Sequence, residues 1–179
     1  MLKEKIVQFV TFETVLDKEQ FISHWEKFTR SDSSDRDVIL HQSEKTGTFK
    51  YLAKHRHGGG FKFIFERARV SSKNPRVSIK VVQEGGYSLL HSARSGECHP
   101  DESKVFCFIQ NPQTDFNLYK KMNMYGNCNV YVAYYENCRF AYILEFFVKN
   151  DRAQELMETL KSYHLDDVAT YKELIMQLT

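Results

Sequence analysis

Runs rich in Val, Ile, Phe and Tyr recur from one end of this chain to the other, and two of them lead straight into amphipathic helical patterns. That alternation constrains the fold more than any single motif. In "VQFVTFETVLDKEQFISHWEKF", Lys5 to Thr14 carries the β-branched and aromatic residues that suit a half-buried strand. Asp17 then stands where a helix N-cap is expected, with Gln20 as the reciprocal member of a capping box. Phe21, Ile22, Trp25 and Phe28 fall on one helical face. The same order returns in "RFAYILEFFVKNDRAQELMETLKSY", where Asp151 and Gln154 repeat the cap and Leu156, Met157 and Leu160 supply the apolar face. Aligning Asp17 with Asp151 matches Phe12 to Phe146 and Ile22 to Leu156, which suggests a repeat.

Further strands are expected over Val38–Glu44, Phe49–His55, Phe61–Arg69, Arg76–Gln83, Tyr87–Arg94 and Val105–Gln110. "EGGY", Glu84 to Tyr87, reads as a flexible turn, and "NVYVAYYENCRFAYILEFFV" as a hairpin turning near Asn137. "TDFNLYKKMNMYG" predicts a helix closed by Gly126. Asp166 to Leu178 predicts a last helix with Val168, Tyr171, Leu174 and Ile175 inward. The least patterned stretch, "SARSGECHPDES", is the expected division between a unit over residues 1–95 and a second over residues 104–179, unless the two form one integrated domain. Each half suits an α+β, ferredoxin-like plan, an antiparallel sheet with helices on one face. Two such units can form an α+β barrel.

Fourteen Phe and ten Tyr against one Trp favour strands and broad apolar contacts. With 42% hydrophobic and 27% charged residues, a chain of 179 residues can bury a real core. A formal net charge of +2 argues against a nucleic-acid partner held by phosphate neutralisation. No window approaches the roughly 18 apolar residues of a membrane span. Glu4, Gln8 and Glu13 break the opening apolar run, which reads as a strand and not a signal peptide. The expectation is a cytoplasmic protein without a membrane partner. Cys98, Cys107, Cys128 and Cys138 form no C-x-x-C pair, so reduced thiols are expected in place of disulfides, and no structural zinc.

The stretch "YLAKHRHGGGFKFIFERAR" concentrates the candidate site residues. Tyr51, Ala53, His55 and His57 share one strand face, as do Phe61, Phe63 and Phe65 on the next. A three-residue turn over Gly58–Gly60 puts both sets on the same side; a two-residue turn shifts that parity. Two histidines at this spacing need a third ligand from elsewhere to hold a metal. "HGGGFKF" lacks the G-x-x-x-x-G-K-[ST] pattern and following helix of a phosphate loop. The segment reads first as a glycine hairpin. As a pocket wall, Tyr51, His55, His57, Phe63 and Phe65, with Trp25 from the helix, suit a small hydrophobic or aromatic molecule better than a metal. Cys98, His99, Asp101 and Glu102 lack a spaced second pair and read as a solvated loop. No Ser–His–Asp order marks a catalytic set.

The succession "VQFVTFETVLDKEQFISHWEKF", "YLAKHRHGGGFKFIFERAR", "VSIKVVQEGGY" resembles the dimeric α+β barrel superfamily, and within it the antibiotic-biosynthesis-monooxygenase-like proteins, over residues 5–87. The resemblance implies ferredoxin-like units that bring their sheets together, usually by dimerising, around a pocket between sheet and helices. It admits cofactor-independent oxygenases, haem-degrading enzymes and members without activity. Only a few residues around "SSKNP" stand where the family carries its second helix. The partner implied is a second copy, as a homodimer, or the C-terminal half of the same chain, as an intrachain pseudo-dimer. No catalytic set carries over, and no cofactor is expected. Two functions follow: a small-molecule-binding protein, with a monooxygenase-like activity as its enzymatic form, or a non-catalytic ligand-binding or oligomerisation module.

Overall fold

Among the described residues eight strands arise from the β-branched and aromatic runs, four on each side of the polar stretch that follows residue 91. They are β1 (Ile6–Thr14), β2 (Val38–Ser43), β3 (Phe49–His55), β4 (Ile79–His91), β5 (Glu102–Ile109), β6 (Gly126–Ala133), β7 (Tyr142–Lys149) and β8 (Val168–Leu174). Every neighbour pair is antiparallel, and the order round a closed barrel is β1-β3-β2-β8-β5-β7-β6-β4. The coordinates are a computed structural model that describes residues 6–14, 19, 38–43, 49–55, 79–92, 94, 98–111, 121, 124–134, 136, 138–163, 165 and 168–174, with much of β1 to β4 and all of β8 described by backbone alone.

Opened at its two seams, β2·β8 and β4·β6, the ring separates into the sheets β4-β1-β3-β2 and β8-β5-β7-β6. The second order is the first with each strand advanced by four. Both halves therefore follow the ferredoxin-like α+β plan, and one chain closes the barrel. The repeat is β1–β4 onto β5–β8, so β1 corresponds to β5. Aligning Asp17 with Asp151 instead pairs the segment after β1 with the segment after β7, which are different places in the plan. Closure removes the exposed strand edges that an open sheet would present.

Two readings of the sequence change here. Arg76–Gln83 and Tyr87–Arg94 are not two strands about a turn at "EGGY"; β4 runs unbroken through Gly85 and Gly86. Its register slips opposite Thr11/Phe12 and again between Leu89 and His91, local irregularities that bend a long strand round a barrel. Gly85 is small because a Cβ there would meet the Tyr87 ring 2.8 Å away. Asp166 to Leu178 is not a helix over its described part: Val168–Leu174 is β8, hydrogen-bonded between β2 and β5. Of the helix expected over "TDFNLYKKMNMYG", Lys121 is helical and most of the remainder lies outside the described residues; Gly126 opens β6.

After β7 the chain makes a 3-10 turn over Asn150–Arg152 and then helix α1 (Ala153–Ser162). Asp151 is not its N-cap: it lies within the 3-10 turn, and neither starting residue makes a side-chain cap bond. Gln154 donates forward to Glu158 at 3.1 Å instead of reaching back. Asp151 and Glu155 place acidic groups at the helix start, where the helix dipole favours negative charge. Ala153, Leu156 and Leu160 bury against Val105, Cys107, Cys128, Val130, Leu144, Phe146 and Val148, the outer face of β5, β6 and β7. Burial pushes the Cys128 thiol well above the ordinary cysteine range, and the neighbouring Glu145 charge adds to it, so the thiol stays protonated at neutral pH. All four cysteines are free thiols.

One expected result follows from strand packing. A Cβ on Gly126 would collide with the Phe147 carbonyl on the adjacent strand, which is backbone and cannot swing away. Gly126→Ala should cost about 1–3 kcal/mol, read as a lower denaturant midpoint at unchanged m-value. An unchanged midpoint would contradict this pairing.

Candidate functional site

Alternation along each strand sends one set of side chains under α1 and the other into the barrel. The inward set of the described residues is Val7 and Phe9 from β1, Tyr87 from β4, Phe106 and Phe108 from β5, Tyr131 from β6 and Ile143 from β7, with Phe140 beside them. Phe9 and Phe106 stand on opposite walls of the ring, yet their centroids are 6.2 Å apart. Phe9 also meets Tyr131 at 5.0 Å and Tyr87 at 5.6 Å, both edge to face. These rings cross the lumen and fill it at that level. An eight-stranded barrel is just wide enough to be filled by side chains or to hold one small ligand.

Towards the start of β5 the same inward positions become polar. Lys104 and Glu145 are 1% and 0% exposed, and the Lys104 Nζ lies 3.3 Å from Glu145 Oε2. Asn129 Nδ2 donates to Glu145 Oε1 at 3.0 Å, and the Tyr131 hydroxyl donates to the same oxygen at 3.1 Å. Strand register explains the meeting: Glu145 sits directly opposite Asn129 on β6 and Phe106 on β5, with Lys104 one inward step along. Two buried ions cost several kcal/mol each to desolvate, and their attraction repays that only with such additional hydrogen bonds.

The cluster continues to the barrel mouth through Arg94, in the segment after β4. Asn129 Oδ1 accepts from the Arg94 backbone N–H at 3.1 Å and Asn129 Nδ2 donates to the Arg94 carbonyl at 2.9 Å, so the amide grips one peptide unit from both sides. The Arg94 guanidinium donates to both Glu102 oxygens at 2.9 and 2.7 Å. That fork holds the Glu102 carboxyl below the usual carboxylate range. Arg94 and Lys104 both stand by the Phe147 ring, at 4.6 and 4.9 Å from its centroid. Leu89, 43% exposed, is paired with Tyr131 near this end.

Of the residues expected to line a pocket, two lie in a described strand. Tyr51 and His55 lie in β3, Tyr51 opposite Phe12 and Gln42, His55 opposite Gln8 and Val38. Trp25, His57, Phe63 and Phe65 lie outside the described residues, as do Asp17 and the strand expected over Phe61–Arg69. Of the loop carboxylates, Glu102 opens β5 and holds Arg94, while Asp101 pairs with Lys149. Sequence reasoning passed over Lys104, Asn129, Tyr131 and Glu145. Their signal was a charged or amide residue inside otherwise apolar strands, "SKVFCFI", "NCNVYVA" and "YILEFFV".

No protein-family model matches the sequence, and no curated protein does. Among solved structures, a candidate chlorite dismutase superposes with a TM-score of 0.60 at 10% identity, over 97% of this chain and 96% of its own. An anthrone oxidase-like protein superposes with a TM-score of 0.53 at 11% identity, over 97% of this chain and 93% of its own. What these structures share with this chain is the fold, an α+β barrel of antiparallel, ferredoxin-like sheets. Among the described residues no helix is long and apolar enough to cross a membrane.

Proposed function

We propose that this is a small-molecule-binding α+β barrel protein whose ligand, largely hydrophobic or aromatic, enters at the Arg94 end and meets the Lys104–Glu145–Asn129–Tyr131 cluster. One observation carries the reading: the inside of the barrel holds a buried ion pair, Lys104 to Glu145, with two further hydrogen-bonding groups, the Asn129 amide and the Tyr131 hydroxyl, converging on Glu145. A barrel serving only as scaffold would be as stable, or more so, with apolar residues there. Buried charged groups of this kind gather at functional sites. The pseudo-dimer within one chain is the form favoured, since the strand ring needs no second copy to close. A wall around Tyr51 and His55 stays in the proposal as a second, separate one, since their pairing with Phe12 and Gln8 sets them on the strand face opposite to that of Phe9.

A monooxygenase-like activity, of the antibiotic-biosynthesis kind or another, is the enzymatic form of the same reading. Two solved structures that share this fold carry the names of enzymes or enzyme-like proteins. The cluster supplies a phenol donating to a carboxylate, a pair able to pass a proton. The second reading, a non-catalytic ligand-binding or oligomerisation module, draws on the Phe9–Phe106 contact that fills part of the lumen.

A thermal-shift screen of aromatic alcohols and ketones separates these readings. The wild type is compared with the double variant Lys104→Met/Glu145→Leu, which keeps volume and removes both charges. Ligands that raise the melting temperature of the wild type and not of the variant support the site. Equal shifts in both, or none in either, overturn it.

A further inference from the structure

We infer that the Arg94 side chain is a swinging latch across the mouth of the barrel, with the Glu102 carboxylate as its catch, and that it sets how fast a ligand reaches the interior; the control of a ligand rests on reading the Lys104–Glu145 cluster as its site. Among the described residues, exposure falls stepwise along one line of side chains. Arg94 is 16% exposed, the Phe147 ring that it covers 3%, Lys104 1% and Glu145 0%. The Arg94 guanidinium lies 4.6 Å from the centroid of that ring, and Lys104 Nζ lies 4.9 Å from the same centroid. Alternation along β7 puts Phe147 on the inward face with Ile143 and Glu145. Arg94 therefore stands between the interior and the end of the barrel at which β5 begins and β4 and β7 end.

The two ends of Arg94 are held in different ways. Its backbone is gripped by Asn129, whose Oδ1 accepts from the N–H at 3.1 Å and whose Nδ2 donates to the carbonyl at 2.9 Å. The same Nδ2 donates to Glu145 Oε1 at 3.0 Å. Turning the amide over would set its oxygen against that carbonyl and that carboxylate, so its orientation is fixed and the Arg94 peptide is a pivot. The described hydrogen bonds of the guanidinium run to Glu102, the first residue of β5, at 2.9 and 2.7 Å. Such a fork is strong and directional. At the rim, however, water takes over its hydrogen bonds when it parts, which does not hold for the bonds round Glu145 inside. The fork is thus the link that yields, and the long Arg94 side chain is the part that moves. Glu102 Oε1 also accepts from the His99 N–H at 3.0 Å, which keeps the catch in place when the latch lifts.

Hydroxyl-radical footprinting of the intact protein, read residue by residue by tandem mass spectrometry, tests the latch without a ligand. Glu102→Gln keeps the shape of the catch and removes its charge while Arg94 stays. Phe147 and Tyr131 should then oxidise roughly tenfold faster than in the wild type. Phe146, next to Phe147 in the chain but on the outer face under α1, should keep its wild-type rate. Arg94→Lys breaks the fork from the other side and should give the same pattern. Phe147 as protected in both variants as in the wild type overturns the latch. A parallel rise at Phe146 overturns it too, since that marks loosening of the whole barrel. Stopped-flow mixing with 1-naphthol reads the control of entry: association and dissociation should both quicken in Glu102→Gln, in step with Phe147 oxidation. Association no faster than in the wild type overturns that control. Binding of 1-naphthol by neither protein removes the ligand site and the control with it, while the footprint still decides the latch.

Discussion

Lys104→Met alone is expected to lower the unfolding free energy by about 3–5 kcal/mol. The substitution keeps most of the side-chain volume but takes away the ammonium 3.3 Å from a carboxylate that is 0% exposed. Glu145 would then have to stay ionised without that counter-charge or take up a proton, and either is costly inside a packed barrel. The Lys104→Met/Glu145→Leu double variant should return to wild-type stability or exceed it, because both desolvation terms vanish together. Equilibrium denaturation of the three proteins, read as a double-mutant comparison, checks this. A single variant as stable as the wild type would mean that the pair is not held ionised and buried as described.

The second large effect is expected at Phe9. Its ring is 1% exposed and touches Tyr87, Phe106 and Tyr131, binding β1 to β4, β5 and β6 across the lumen. Phe9→Ala removes those edge-to-face contacts and leaves a void that a closed barrel cannot collapse to fill, a cost of about 3–5 kcal/mol. Denaturant unfolding with the m-value unchanged is the readout. A loss below about 1 kcal/mol, within the range of a surface substitution, would contradict a lumen bridged at this level.

How far these features were legible in the sequence depended on whether their cause was local. Phe49–His55 was read to the residue, because alternation and β-branching bounded it on both sides. The hairpin of β6 and β7 was legible for the same reason, with Ala133 N–H donating to the Ala141 carbonyl just inside the turn. β8 was misread because Val168, Tyr171, Leu174 and Ile175 satisfy a helical period, while Val168, Thr170, Lys172 and Leu174 satisfy a strand's. What decides between them is pairing with β2 and β5, residues far away in the chain. The two glycines of β4 were read as a turn, since nothing local says that the Tyr87 ring occupies the space a Cβ would need. The polar cluster joins β5, β6, β7 and the Arg94 segment, so it exists only once the barrel closes. Its trace was four polar residues in apolar company, and that trace becomes a site only with the register known.

The most direct test of the account is a crystal structure of the protein grown with 1-naphthol. The naphthol ring is expected inside the barrel at the Arg94 end, its hydroxyl within hydrogen-bonding distance of Tyr131 or Asn129. A ring seated only on the outer surface, with the interior closed around Lys104 and Glu145, would contradict it.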